Sequence, residues 1–107
     1  MGQPFAVVRS ANDPGRVVVS GEVDIHTAPE LRGSLCRAVE VAAGAPAAVV
    51  TVDLSSVNFI DVRGLRILVA AEAYAWVRGV RMLFTGASPG ARRLIRITGL
   101  SLRVDGG

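Results

Sequence analysis

The sequence contains no lysine, and all twelve of its basic residues are arginine. Walker-type phosphate loops, Schiff-base enzymes and serine–lysine dyads all require an ammonium group, so these classes are excluded. The lone cysteine, Cys36, excludes an internal disulfide, and with the lone histidine, His26, it cannot build a Cys/His zinc site. These absences make an enzyme an unfavoured interpretation.

Long apolar runs are also missing. None reaches the roughly 18–20 residues that cross a bilayer, and the first ten residues lack the basic start and apolar core of a signal peptide. We therefore expect a cytoplasmic protein with no membrane insertion. Its 107 residues, half of them hydrophobic, fit a single domain over residues 1–107.

Positive charge is concentrated in the second half of the chain. Residues 1–53 carry four arginines against six acids, whereas residues 54–107 carry eight arginines against three acids. A basic half is a feature of nucleic-acid-binding proteins. Only Arg92, Arg93 and Arg96 cluster, however, and no aromatic stacking surface accompanies them. A solvated helix face is the favoured interpretation, and we expect no nucleic-acid partner.

Strand-like and helix-like segments alternate along the chain. The β-branched runs at residues 5–9 and 16–20 flank the turn sequence NDPG, which predicts an antiparallel hairpin. Thr27 and Glu30 have the spacing of a capping box, which predicts a helix that ends before Gly44. The continuous apolar run at residues 47–54 predicts a strand buried on both faces.

Two further helices and two strands follow. Asp61 is the expected N-cap of a helix over residues 62–78, and Ser88 is the expected N-cap of a third helix. Strands are predicted at residues 80–85 and 101–104. The predicted inward positions are Leu65, Leu68 or Val69, Ala73 and Trp76 on the second helix, and Leu94 and Ile97 on the third, with Arg92, Arg93 and Arg96 outward. The order β-β-α-β-α-β-α-β predicts an α/β fold, with helices packed on a mixed central sheet.

Several polar side chains follow the predicted parallel strands, where functional residues of α/β proteins gather. Glu22, Asp24 and Asp61 fit an acid–base or magnesium site, although a helix cap is favoured for Asp61. His26 fits a general base, but no nucleophile-elbow sequence accompanies it, and an exposed loop histidine is favoured. Residues 86–90 fit a phosphate-binding loop at a helix N-terminus, but a turn followed by a helix cap is the favoured interpretation. We expect no cofactor and no metal.

Two segments resemble one family. GEVDIHTA at residues 21–28 resembles the second strand and loop of STAS domains, especially those of bacterial anti-sigma factor antagonists. The central block of these domains is a buried strand, a short loop and a helix opened by Asp-Ser-Ser-Gly-Leu, and it resembles VDLSSVNFIDVRGL at residues 52–65. The resemblance covers nearly the whole chain and implies the STAS-type fold. Since the chain stops at Gly107, we expect the family's last helix to be absent or very short.

The resemblance implies a non-enzymatic binding switch. Such antagonists bind an anti-sigma factor, often a histidine-kinase-like serine kinase, and thereby free a sigma factor. Phosphorylation of the first serine after the aspartate ends that binding. Here Val62 and Arg63 replace the two serines, so the usual modification cannot occur at Val62. Ser55, Ser56 and Thr27 are the alternative acceptors.

The resemblance also implies where the partner binds, because the fold brings the second-strand loop beside the second helix. The residues expected to contact the partner are Asp24, Ile25, His26, Thr27, Asp61, Val62, Arg63, Gly64 and Arg66. The expected partner is a kinase-like anti-sigma factor, and the free chain is expected to be a monomer or weak dimer. Two alternatives stay open: a STAS scaffold or accessory subunit of a stressosome-like or transporter assembly, and a small nucleotide- or anion-binding domain.

Overall fold

The structure is a computed structural model that describes residues 4–99, 102 and 104–105. Its elements, in chain order, are β1 Ala6–Arg9, β2 Arg16–Val23, α1 Ala28–Ala42, β3 Val49–Ile60, α2 Val62–Val77, β4 Arg81–Thr85, α3 Pro89–Thr98 and β5 Val104–Asp105. This is the predicted order. Ser101 and Arg103, which belong to the predicted last strand, lie outside the described residues. The prediction that the final helix is absent or very short concerns the end of the chain at Gly107, which also lies outside them.

The sheet has five strands that lie side by side in chain order. β1 and β2 are antiparallel, and the pairs β2–β3, β3–β4 and β4–β5 are parallel. The turn between β1 and β2 is closed by Asp13, whose Oδ1 accepts a hydrogen bond from the Gly15 amide at 3.1 Å. The predicted hairpin and the predicted mixed sheet are therefore confirmed.

The helices cover one face of the sheet. Every crossover runs in the same direction along the sheet, and parallel crossovers are right-handed, so all three helices lie on the same side. Burial alternates accordingly: Val50, Val52 and Leu54 of β3 are buried in the core, whereas Thr51 and Asp53 are only half-buried. The prediction that this strand is buried on both faces is wrong, because no described helix crosses to the other face.

Two predicted helix faces differ from the observed ones. On α2 the buried residues are Gly64, Leu65, Leu68, Ala71 and Ala75. Trp76 is 78% exposed and Ala73 is also exposed, so their predicted inward positions are wrong. From Leu68 the buried positions recur three and then four residues later, at Ala71 and Ala75. Trp76 is one residue beyond this buried face.

On α3 the inward face is formed by Ala91, Leu94 and Ile95, which pack against the core. The prediction was correct for Leu94 and wrong for Ile97, which is 70% exposed. Arg92 was expected outside but is half-buried, and its Nε donates to the Ala87 carbonyl oxygen at 3.2 Å. The face of α3 that packs on the core is therefore rotated relative to the predicted face. Ala91, Leu94 and Ile95 form it, at the i, i+3 and i+4 spacing of one helix face.

β3 continues beyond the end predicted for it. β4 pairs only with the first part of β3, from Val49 to Asp53, while β2 follows β3 as far as Ile60. The register shifts twice along β2, so β3 accommodates an extra residue at each irregularity. The short loop that the resemblance implies between this strand and the second helix is therefore wrong, since the chain reaches Asp61 directly from β3. Among the described residues, no helix has the length and apolar character needed to cross a membrane.

Candidate partner-binding site

The loop after β2 and the start of α2 lie side by side at the carboxyl end of the sheet. The Asp61 amide donates to the Val23 carbonyl oxygen at 3.1 Å. Gly64 lies against the same residue: a Cβ placed on Gly64 would stand 2.4 Å from Val23 Cγ1 and 2.8 Å from the carbonyl oxygen. The two segments predicted to bind the partner are thus brought together by a contact that only glycine permits.

The loop at residues 24–27 is shaped by its own side chains. Asp24 Oδ1 accepts hydrogen bonds from the amides of His26 at 2.8 Å and Thr27 at 3.2 Å. The Thr27 hydroxyl donates to the Glu22 carbonyl oxygen at 2.8 Å and accepts from the Asp24 amide at 3.0 Å. Both side chains therefore hold the loop in shape, and they leave Ile25, 51% exposed, and His26 at the surface.

The predicted capping box at Thr27 is wrong. Thr27 is the N-cap residue of α1, but its side chain makes no capping hydrogen bond. Its backbone is helical, with φ −98° and ψ −15°, whereas side-chain capping requires an extended N-cap residue. The helical conformation arises because the Ala28 amide already bonds to the Asp24 carbonyl oxygen at 2.8 Å, which forms a turn ahead of α1.

Asp61 caps α2 as predicted. Its backbone is extended, and its Oδ1 accepts a hydrogen bond from the Gly64 amide at 2.9 Å. Val62 is 36% exposed on the first turn, and Arg63 and Arg66 are exposed beside it. Since the first turn contains no acidic residue, Arg63 adds a cation to the positive end of the helix dipole.

Ser55 lies apart from this site. Its hydroxyl donates to Asp53 Oδ1 at 2.6 Å and its amide donates to the same oxygen at 2.9 Å, while Arg16 Nη2 lies 2.6 Å from Asp53 Oδ2. The Ser55 hydroxyl, its amide and the Arg16 guanidinium lower the pKa of Asp53. Ser55 precedes Asp61 by six residues, and pairing with β2 keeps the chain in a strand between them, so Ser55 lies well back from the start of α2.

The other two alternative acceptors are also restricted. Ser56 is half-buried in β3, where it pairs with Ser20 of β2. The hydroxyl of Thr27 lies close to the other site residues, but it is already hydrogen-bonded within its loop. Thr27 belongs to the loop that follows Val23, the residue that contacts Asp61 and Gly64, whereas Ser55 and Ser56 lie farther back along β3.

A groove between α1 and α2 extends the site beyond the predicted residues. Its volume is about 530 Å³. It is lined by Ile25, Ala28, Pro29, Arg32, Gly33, Cys36, Arg63, Arg66 and Ile67. Of these, only Ile25, Arg63 and Arg66 were predicted to bind a partner. Residues 29, 32, 33 and 36 lie on one face of α1, but the sequence alone does not show that this face meets α2.

A second, smaller cavity of about 240 Å³ lies where β3 ends beside α3, and its lining includes Val57, Phe59 and Leu94. Ser88, at its edge, caps α3 by accepting from the Ala91 amide at 3.1 Å, so the predicted cap is confirmed. The described residues contain no group of three His, Cys, Asp or Glu side chains that would hold a metal ion. The expectation that the chain uses no metal or cofactor stays a prediction.

Comparisons with known proteins agree with this fold. Residues 6–102 match a family model described as Mlab, STAS domain. The Anti-sigma-B factor antagonist of Listeria monocytogenes is 34% identical over 85 residues, which cover 79% of this chain and 71% of that protein.

Solved structures give the same result. An anti-sigma factor antagonist from Mycobacterium paratuberculosis is 31% identical, with a TM-score of 0.66 over 91% of this chain and 78% of that chain. The anti-sigma factor antagonist SpoIIAA in its unphosphorylated form shares the fold, at 17% identity and a TM-score of 0.66, over 97% of this chain and 89% of its own. The chain belongs to the STAS domain family.

Proposed function

We propose that this protein is an anti-sigma factor antagonist, which binds an anti-sigma factor and thereby regulates transcription. The observation that carries the proposal is the surface where loop 24–27 meets the first turn of α2, in a chain that is 34% identical to a protein named Anti-sigma-B factor antagonist. The protein acts by binding and not by catalysis. A kinase-like partner, a cytoplasmic location and a single domain over residues 1–107 belong to the same proposal.

The proposed contact residues divide into two groups. Ile25 and Val62 offer apolar area at the surface, and His26, Arg63 and Arg66 offer polar contacts around it. The remaining residues hold the shape of the surface through hydrogen bonds or close packing, and they are Asp24, Thr27, Asp61 and Gly64. A small apolar centre with polar groups around it is the usual arrangement of a protein interface.

The proposed binding is not switched off by phosphorylation at the family position. Val62 has no hydroxyl, and its exposed side chain instead supplies apolar area to the contact. Among the proposed contact residues, a side-chain hydroxyl is present only on Thr27, and it is engaged with Glu22 and Asp24. The proposed antagonist therefore binds its partner constitutively.

The proposal is tested with the anti-sigma factors encoded in the same genome, each purified separately. We expect at least one to form a complex that is measurable by isothermal titration calorimetry. After incubation with magnesium and ATP, intact-mass spectrometry should show no added phosphoryl group. Absence of binding to every anti-sigma factor would contradict the proposal and favour a scaffold role in another assembly. A phosphoryl group on Ser55, Ser56 or Thr27 would contradict the unswitched mode of action.

A further inference from the structure

The groove between α1 and α2 combines an apolar floor with three arginines. Ile25, Ala28 and Ile67 supply aliphatic surface, and Arg32, Arg63 and Arg66 stand along the two helices. The α2 residues 63, 66 and 67 share one helix face, as do the α1 residues 29, 32, 33 and 36. The two faces meet across the groove, so cations from both helices surround the same apolar surface.

The arginines of this groove are not neutralised by the described part of the chain. No acidic side chain lines the groove. The two described ion pairs lie elsewhere: Arg16 with Asp53 on the sheet, and Arg78 with Glu40 at the opposite end of the α1–α2 seam. The positive end of the α2 dipole adds to the charge near Arg63.

This charge pattern favours a carboxylate-bearing occupant. Guanidinium groups bind carboxylates through paired hydrogen bonds, which are stronger than bonds between neutral groups. An acidic occupant would also relieve the repulsion among three neighbouring cations, and the exposed side chain of Ile25 provides an anchor for one apolar group. No aromatic side chain lines the groove, so the stacking that single-stranded nucleic acid requires is missing.

Resting on the function proposed above, we propose that the α1–α2 groove receives an acidic segment of the anti-sigma factor. Carboxylates of that segment bind Arg32, Arg63 and Arg66, and one of its aliphatic side chains packs on Ile25 and Ile67. The proposal extends the partner surface from the α2 N-terminus along α1, and it gives Arg32 a role in binding.

The first test reverses the charge of the groove. The double variant Arg63→Glu/Arg66→Glu is compared with the matched double variant Arg81→Glu/Arg93→Glu, which makes the same charge change at exposed positions outside the groove. The anti-sigma factor that binds the wild type is titrated by calorimetry at several salt concentrations. We expect the groove variant to weaken binding by about tenfold or more and to reduce its salt dependence, whereas the matched variant changes affinity by less than about twofold.

Two further variants separate a binding effect from a folding effect. Arg63→Lys/Arg66→Lys keeps both charges but loses the paired geometry, so we expect intermediate affinity. Arg32→Glu alone tests the α1 side, and we expect it to weaken binding as well. Circular dichroism of each variant should match the wild type, since all three side chains are exposed. Thermal melting should show no loss of stability, because Arg63→Glu replaces a cation with an anion at the positive end of the α2 dipole.

The second test needs no anti-sigma factor. Its probe is a synthetic peptide with glutamates on both sides of one leucine, titrated into isotopically labelled protein and followed by amide chemical shifts. We expect shifts at Ala28 and Ile67, loss of binding in Arg63→Glu/Arg66→Glu, and no binding of the same peptide with glutamine in place of glutamate. A DNA oligonucleotide is titrated in parallel, and preferential binding of DNA in this groove would overturn the inference.

The two tests distinguish failure of the groove from failure of the proposed function. If an anti-sigma factor binds equally well to the wild type and to Arg63→Glu/Arg66→Glu, the groove inference is wrong and the proposed function stands. If no anti-sigma factor binds but the acidic peptide binds in the groove, the acidic specificity stands and the proposed partner is wrong. If neither binds, both are wrong.

Discussion

At the scale of single residues, Val62 occupies the position where the family resemblance implies a serine. The side chain is exposed on the first turn of α2, immediately after the capping Asp61. Val62→Ser would restore a hydroxyl at the helix N-terminus. With a kinase-like partner and ATP, we expect this variant to acquire one phosphoryl group and to lose partner binding, because about −1.5 to −2 charges would enter the interface. Intact-mass spectrometry and calorimetry measure the two effects.

The matched control for this variant is Val62→Ala, which also shortens the side chain but adds no hydroxyl. It should stay unmodified and keep most of its affinity. Phosphoserine is favourable at a helix N-terminus, so the modified Val62→Ser protein should not melt at a lower temperature than the unmodified one. A Val62→Ser variant that stays unmodified beside an active kinase would show that this surface no longer presents position 62 to the enzyme.

Asp61 provides a second prediction at the same scale. Asp61→Ala removes the acceptor of the Gly64 amide, so we expect the free energy of unfolding to fall by about 1 kcal/mol. Asp61→Asn should lose much less, since an amide oxygen also caps. Urea denaturation measures both values. Equal losses in the two variants would mean that hydrogen-bond capping is not what Asp61 contributes to stability.

At the scale of the elements, two helical glycines should respond oppositely to the same change. Gly64→Ala places a methyl group 2.4 Å from Val23 Cγ1, and overpacking of this kind costs about 1–3 kcal/mol. Gly33→Ala meets only the flexible end of Arg37, at 3.3 Å, and should stabilise α1 by about 0.5–1 kcal/mol. Thermal and urea denaturation of both variants check the prediction, and destabilisation by Gly33→Ala would contradict it.

The same scale shows what the sequence could predict. Element order and helix ends followed from strong local signals, such as the Ser88 cap of α3 and Gly44, which follows the end of α1 with a φ of 91°. The predictions of which helix face is buried were less accurate, because tertiary contacts decide it. Trp76 and Ile97 were predicted to face inward and are exposed. The length of β3 was missed because the two serines after Leu54 resemble a loop, although the pairing of Ser56 with Ser20 of β2 continues the strand.

At the scale of the whole molecule, one part of the candidate site was predictable from the sequence and the α1–α2 groove was not. The pairing of loop 24–27 with α2 was expected from the family resemblance, and the structure supplies its cause in the contact between Gly64 and Val23. The groove was missed because Arg32 and Arg63 come from different helices, and neither is unusual within its own segment. A site made of ordinary surface residues becomes visible only when the helices are packed together.

The open face of the sheet gives the molecule a predictable response to acid. On this face Asp53 is held by Ser55 and Arg16, which lower the pKa of Asp53 below its usual value. A carboxyl group with a lowered pKa stabilises the fold above its unfolded-state pKa, and this stabilisation is lost as the pH falls through the folded-state pKa. Glu40 behaves in the same way, since Tyr74 and then Arg78 lower the pKa of Glu40.

Ser55→Ala tests this acid response, because the Ser55 hydroxyl is the largest cause of the lowered pKa of Asp53. We expect the pKa of Asp53, measured by carboxyl-carbon NMR titration, to rise towards its usual value. Urea denaturation should show the variant less stable than the wild type at neutral pH, and this difference should shrink once Asp53 is protonated in both proteins. Ser56→Ala is the control, since no hydrogen bond of its hydroxyl is described, and it should leave the pKa of Asp53 unchanged. A stability difference for Ser55→Ala that is the same at neutral and acidic pH would instead assign the loss to local strand packing, independent of the charge on Asp53.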